Sequence, residues 1–145
     1  MKWFFMLFEI GLLAVLGYLA LYPNEVTGQL AFQCGIAGGT GGALYCLRGI
    51  YINVSVKDQW DEKWVLWYVA RPVASVVMGV MAYVFIRAGL LILEATDKES
   101  ATQFGYLAVA FLAGLNVDNF IKKFESVAES TFGIGRSRSS KPEGE

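Results

Sequence analysis

The chain has 145 residues, is 55% hydrophobic and only 17% charged, and carries a net charge of −1; soluble domains contain about 25% charged residues. This length is enough for one domain, and the near-neutral charge gives no indication of a nucleic-acid partner. Histidine is missing from the sequence, which removes the commonest general base and the commonest metal ligand of enzymes.

Four long apolar segments divide the chain, and the last of them is the shortest. A helix needs about 20 predominantly apolar residues to cross a bilayer. The sequence therefore predicts an all-α integral membrane protein with four transmembrane helices, built as one domain over residues 1–134. The predicted spans cover residues 3–21, 28–53, 64–94 and 101–117. For the fourth segment, a tilted, re-entrant or buried helix is the alternative, because it reaches a spanning length only with its polar ends included.

The second apolar segment contains the stretch "GIAGGTGGALYCLRGIY". It lacks the lysine of a phosphate-binding loop and the third glycine of a dinucleotide-binding fingerprint, so neither nucleotide motif fits. On a helix, four of its glycines share one face, which predicts close packing of another helix. These four are Gly35, Gly38, Gly39 and Gly42. Gly41 is expected to lie off this face and to tolerate alanine.

The opposite face of the same helix is polar, since it carries Gln29, Gln33 and Thr40. One interpretation is a polar path through the membrane, to which Asp118 and Asn119 at the end of the fourth span contribute. The other is that the two glutamines lie near the outer interface and only reach water.

Charged residues within or beside the predicted spans are a second group of candidates. Glu9 and Arg87 lie inside spans, and Arg48 and Arg71 lie near the inner edge. An intramembrane charge marks a functional site by default, although structural ion pairs are the alternative. Glu9 is expected to pair with Arg48 or Arg71. The expected partners of Arg87 are Glu25 and Glu94.

The segment before the third span favours a helix at the membrane interface, beginning at about residue 58. Four aromatic residues fall on one face of this helix: Trp60, Trp64, Trp67 and Tyr68. Such residues prefer the headgroup level of a bilayer. Pro72 disfavours helical geometry at Arg71, so a break or a kink is predicted between the two.

Residues 117–132 predict an amphipathic helix with an apolar stripe and a charged face. Its balanced charge weakens a lipid-surface role, and packing against the interfacial helix or a neighbouring subunit is equally compatible. Gly133 and Gly135 should end it. Residues 135–145 are rich in charged and small residues and predict a disordered tail.

Basic residues cluster on one side of the predicted bundle, which predicts that both termini face the cytoplasm, in a bacterial inner membrane. The only two cysteines, Cys34 and Cys46, would lie about 18 Å apart along a helix and cannot bridge. With no further ligands to join them, they predict no metal site, and no cofactor is expected.

These patterns leave two main hypotheses for function. The first is a homo-oligomeric channel or pore-like assembly in the lipid bilayer. The alternative is a non-enzymatic membrane scaffold or accessory subunit that docks a cytoplasmic protein partner. An enzyme acting on lipid is disfavoured, because no nucleophile–base pair, metal set or carboxylate cluster can be assembled.

Overall fold

The computed structural model describes residues 2–56, 65–90 and 99–133, which are helical apart from short connections and contain no β-strand. The all-α class predicted from the sequence is therefore confirmed. Five α-helices follow one another: α1 (Lys2–Leu21), α2 (Leu30–Tyr51), α3 (Val65–Arg87), α4 (Glu99–Leu115) and α5 (Val117–Phe132). A π-helical segment, Ile52–Val56, continues α2.

Three helical stretches are long and apolar enough to cross a membrane: Trp3–Leu21, Leu30–Ser55 and Leu66–Arg87. A fourth crossing is counted only if α4 and α5 are taken together as one span, and their axes bend by 111° at the break between them. The break lies at Asn116, whose backbone angles are not helical. By length and composition, the described residues thus contain three or four candidate spans.

Helix α2 is the centre of the bundle and packs against α1, α3 and α4. Its fully buried side chains include Cys34, Ala43 and Cys46. By contrast, α1 exposes large apolar side chains along most of its length, among them Phe4, Leu7 and Val15. In a soluble monomer such a face would be exceptional, whereas lipid accommodates it.

Helix α4 ends halfway along its neighbours rather than at the far end of the bundle. Its last turn, at Gly114 and Leu115, lies against Gly38 and Gly41 near the middle of α2. The chain then turns towards α3. The first turn of α5 pairs with Arg71 through Asp118, and the ring of Phe124 stacks on that of Phe85 at a centroid distance of 4.2 Å. The first half of α5 consequently contacts α3, between Arg71 and Phe85.

Helix α3 runs without interruption from Val65 to Arg87 although it contains Pro72. The predicted break at this proline is therefore wrong. Because Pro72 has no N–H, the carbonyl oxygen of Tyr68 loses its intrahelical partner; the thiol of Cys46 on α2 is 4.0 Å from that oxygen. Such substitute donors allow proline inside membrane helices. The predicted interfacial residues Trp60 and Trp64 and the tail lie outside the described residues.

Candidate functional site

Three helix backbones meet at one point, which we call the glycine junction: Gly38 and Gly41 of α2, Ser75 and Gly79 of α3, and Gly114 of α4. A Cβ atom built on Gly38 would lie 2.8 Å from the Cα of Gly79, and one built on Gly114 would lie 2.6 Å from the Cα of Gly38. Real Cβ atoms do not approach other carbons so closely. Only glycine allows the three backbones to come together here.

The four glycines predicted to share a packing face all lie against neighbouring helices. A Cβ atom on Gly35 would meet Val80 at 3.1 Å, and one on Gly39 would meet Val76 at 2.7 Å and Leu16 of α1 at 3.3 Å. Gly38 meets the α3 backbone, and Gly42 meets the side chain of Ser75.

Gly41 requires a correction, because it does not lie off the packed surface. A Cβ atom there would run into the carbonyl oxygen of Phe111 and would lie 2.9 Å from the amide nitrogen of Leu115. The prediction assumed one packed face on α2. In the structure α4 covers a second face of the helix, and Gly41 is the point where α4 approaches.

Ser75 fixes the end of α4 at this junction. Its hydroxyl group is fully buried and donates a hydrogen bond to the carbonyl oxygen of Gly114 at 2.9 Å. That carbonyl lies in the last turn of α4, where no intrahelical donor exists for it. Sequence reasoning missed Ser75, Gly79 and Gly114. The small-x-x-x-small spacing of Ser75 and Gly79 is the signal that could have found the first two.

Only two of the predicted polar-path residues come together. Gln33 and Thr40 line a groove of about 600 Å³ between α2 and α4, whose other walls are apolar, with Phe104 and Phe111 among them. The Thr40 hydroxyl donates to the carbonyl of Ile36 within its own helix, at 2.8 Å. The groove is therefore mainly an apolar surface. Gln29 caps α2 and is exposed, and Asp118 and Asn119 lie on α5.

Arg71 is a buried charge that pairs with Asp118 through one nitrogen, whereas its Nε has no hydrogen-bond partner among the described residues. Although only 7% of its side chain is exposed, its guanidinium group donates to the carboxylate of Asp118 at 2.8 Å. It also lies over the rings of Tyr45 and Trp67, at 4.9 and 5.4 Å from their centroids. This pair joins the first turn of α5 to α3. The negative charge of Asp118 is also stabilised by the positive end of the α5 helix dipole, since Asp118 lies in the first turn.

The surroundings of Glu9 differ from those that the sequence predicted. The side chain is fully buried, and neither carboxylate oxygen has a hydrogen-bond partner among the described residues. The expected pairing with Arg48 or Arg71 is wrong, since Arg71 is directed to Asp118 and Arg48 is exposed. The group beside the carboxyl is the thiol of Cys46.

Arg48 and Arg87 lie at opposite ends of the bundle. Arg48, in the last turn of α2, borders a second cavity of about 310 Å³ together with Asn53 and Tyr68. The amide of Asn53 donates to the Tyr68 hydroxyl at 3.1 Å. Arg87 ends α3 and is exposed, as is Glu25, whereas Glu94 lies outside the described residues.

Over the described parts of the chain, no three Cys, Asp or Glu side chains lie close enough to hold a metal ion. Cys34 and Cys46 are both buried free thiols. A comparison with known protein families, curated proteins and solved structures finds no match for this chain.

Proposed function

We propose that this protein is a multi-span membrane protein whose copies form a homo-oligomeric, pore-like assembly. The observation that carries the proposal is the position of α5. Its contacts at Arg71 and Phe85 bracket residues 72–84, which belong to the apolar part of α3. If α3 crosses a bilayer, α5 lies beside it at the depth of the acyl chains.

The outward face of α5 is mostly polar, although Ile121 and Phe132 are exposed as well. Its exposed polar residues are Asp118, Asn119, Lys122, Lys123, Ser126, Glu129, Ser130 and Thr131. Each charged side chain that faces lipid near the bilayer centre costs about 3 kcal/mol on insertion scales. Broken helices are tolerated at membrane depth only where they are buried in protein or line water. This face should therefore meet water, another copy of the chain, or both.

A water path through a single copy has little support, because the glycine junction fills the centre of the described bundle. The path that we propose runs between copies, with the polar face of α5 on its wall. This arrangement needs no catalytic residue and no cofactor, and we propose neither an enzymatic role nor a nucleic-acid partner.

The orientation that we propose follows from the basic residues at the Arg48 and Arg71 end of the bundle. The loop that joins α2 to α3, and with it the N-terminus, should face the cytoplasm of a bacterial cell. The basic residues of the C-terminal tail favour the same side, whereas the return of α5 along α3 favours the opposite side for the end of that helix.

The same face of α5 favours a second candidate function. A polar helix surface that is held at one end by the Arg71–Asp118 pair could dock a protein partner, as a scaffold or accessory subunit would. In that case the face would be covered by a different protein, and the chain alone would conduct nothing.

Cysteine accessibility in proteoliposomes tests the proposal. Lys122→Cys should react with a charged thiol reagent, and the reaction should reduce solute flux. Val77→Cys is a matched control, because Val77 lies on α3 with an exposed apolar side chain and should face lipid. Both native thiols are buried and should give little background.

The mass of the purified particle in detergent gives the number of copies. Several copies with flux through the liposomes would support the pore. A single copy without flux would overturn it, and a reactive Lys122→Cys in such a particle would favour the docking function.

A further inference from the structure

Glu9 is a fully buried acidic side chain with a weak donor, the thiol of Cys46, beside it. Cys46 belongs to a cluster of buried side chains with Phe5, Ile50 and Tyr68. Among the described residues Glu9 is the only acidic side chain that is buried. Its two oxygens lack hydrogen-bond partners in the same part of the chain.

The charged and titratable groups on the facing helices do not compensate a negative charge there. From α2 the facing group is the Cys46 thiol, and from α3 they are Tyr68 and Arg71. The Tyr68 hydroxyl accepts a hydrogen bond from the amide of Asn53, and Arg71 forms an ion pair with Asp118. A buried, unpaired carboxylate is strongly disfavoured relative to the neutral acid.

The neutral acid, by contrast, brings a donor of its own to a site where the nearby polar group is a thiol. Pro72 leaves the carbonyl oxygen of Tyr68 without its helical donor, and the thiol of Cys46 is directed to that oxygen. The thiol thus lies between this oxygen and the carboxyl group of Glu9. A protonated carboxyl group has an O–H of its own, which can donate to the sulfur of Cys46.

We propose that Glu9 is a proton-binding site, and that α1 packs against α2 and α3 with this carboxyl group in its neutral form. The argument rests on the burial and contacts of Glu9 and does not depend on the proposed pore. It gives the bundle one exchangeable proton in a helix that is apolar enough to span a membrane.

Infrared spectroscopy of the protein in D₂O at pH 7 tests this directly, because the C=O stretch of a protonated carboxyl is separate from that of a carboxylate. The folded protein should show the band of a single protonated carboxyl. The band should vanish on unfolding at the same pH, since a water-exposed glutamate has a pKa of about 4.3 and is ionised.

The variant Glu9→Gln should remove the band, and the exposed control Glu25→Gln should leave it unchanged. Since glutamine is a neutral group of the same shape, the thermal midpoint of Glu9→Gln should stay close to that of the unaltered protein. A folded protein without the band, or a band that survives in Glu9→Gln, would overturn the proposal. A large loss of stability in Glu9→Gln would also count against it, because it would reveal an ionic partner.

Discussion

At the level of single residues, the glycines of the bundle differ in the space beside them. Gly11 and Gly17 on α1 have no atom within 4 Å of a Cβ position, whereas Gly38, Gly41 and Gly114 meet the backbone of another helix. Backbone cannot move aside as a flexible side chain can. The same substitution should therefore have opposite effects on the two groups.

We expect Gly41→Ala to destabilise the bundle by about 1–3 kcal/mol, the usual cost of overpacking. The gain in helix propensity from glycine to alanine, up to about 1 kcal/mol, does not offset this. Gly11→Ala is the control and should be neutral or slightly stabilising. The measurement is the unfolding midpoint in detergent, and equal midpoints for the two variants would show that α4 does not approach α2 at Gly41.

The Arg71–Asp118 pair should respond unequally to the loss of either partner. Asp118 is 75% exposed, so Asp118→Asn should cost only about 1 kcal/mol. Arg71→Gln removes the same pair and also the stacking on Tyr45 and Trp67, and it should cost more. A double-mutant cycle measures the coupling, with Lys123→Gln as an exposed control. Strictly additive losses would mean that the pair contributes nothing.

At the level of helices, α5 and the α4–α5 bend differ in how far they could be predicted. The apolar stripe and Gly133 predicted an amphipathic helix over residues 117–132, and α5 occupies the same residues, with Gly133 in the left-handed conformation. The bend at Asn116 had no such signal, because neither proline nor glycine lies at that position. Just before the bend, the end of α4 is bonded by the hydroxyl of Ser75, which is distant in sequence.

The stacked rings of Phe85 and Phe124 should hold the second half of α5 on α3. Phe124→Ala is expected to release this half and to speed its amide hydrogen exchange, while the first turn stays attached at Arg71. Phe132→Ala, near the end of the same helix and exposed, is the control. Unchanged exchange in Phe124→Ala would show that α5 is held by other contacts.

At the level of the whole molecule, composition predicted the all-helical class and several apolar helices, but not the relation between them. Four apolar segments predicted four crossings, with a re-entrant or buried fourth helix as the alternative, and α4 stops beside Gly41, in the middle of α2. Likewise Glu9 was expected to pair with Arg48 or Arg71 on grounds of depth alone. Which way each side chain points around its helix axis depends on tertiary packing, and the sequence of one helix does not contain it.

Side-specific labelling tests the path of the chain. A cysteine placed at Asn24, in the α1–α2 connection, should be reached from the outside, and one placed at Gln59 should be reached only from the cytoplasm. Because α5 leads back towards the Arg87 end of α3, Ser130→Cys should react from the same side as Asn24→Cys. Labelling of Ser130→Cys from the cytoplasm alone would show that α5 reaches the inner side, as the basic tail favours.

The positions of α4 and α5 also imply that these two helices pack after α2 and α3 during folding. Both helices bind to surfaces that exist only after α2 and α3 have packed: α4 needs the glycines of α2 and the hydroxyl of Ser75, and α5 needs Arg71 and Phe85. Membrane helices insert first and associate afterwards, and α5 is too polar to insert alone. If the chain inserts into a bilayer as proposed, the first three helices should serve as a template for α4 and α5, and a chain that ends before residue 99 should leave Gly41 uncovered by α4.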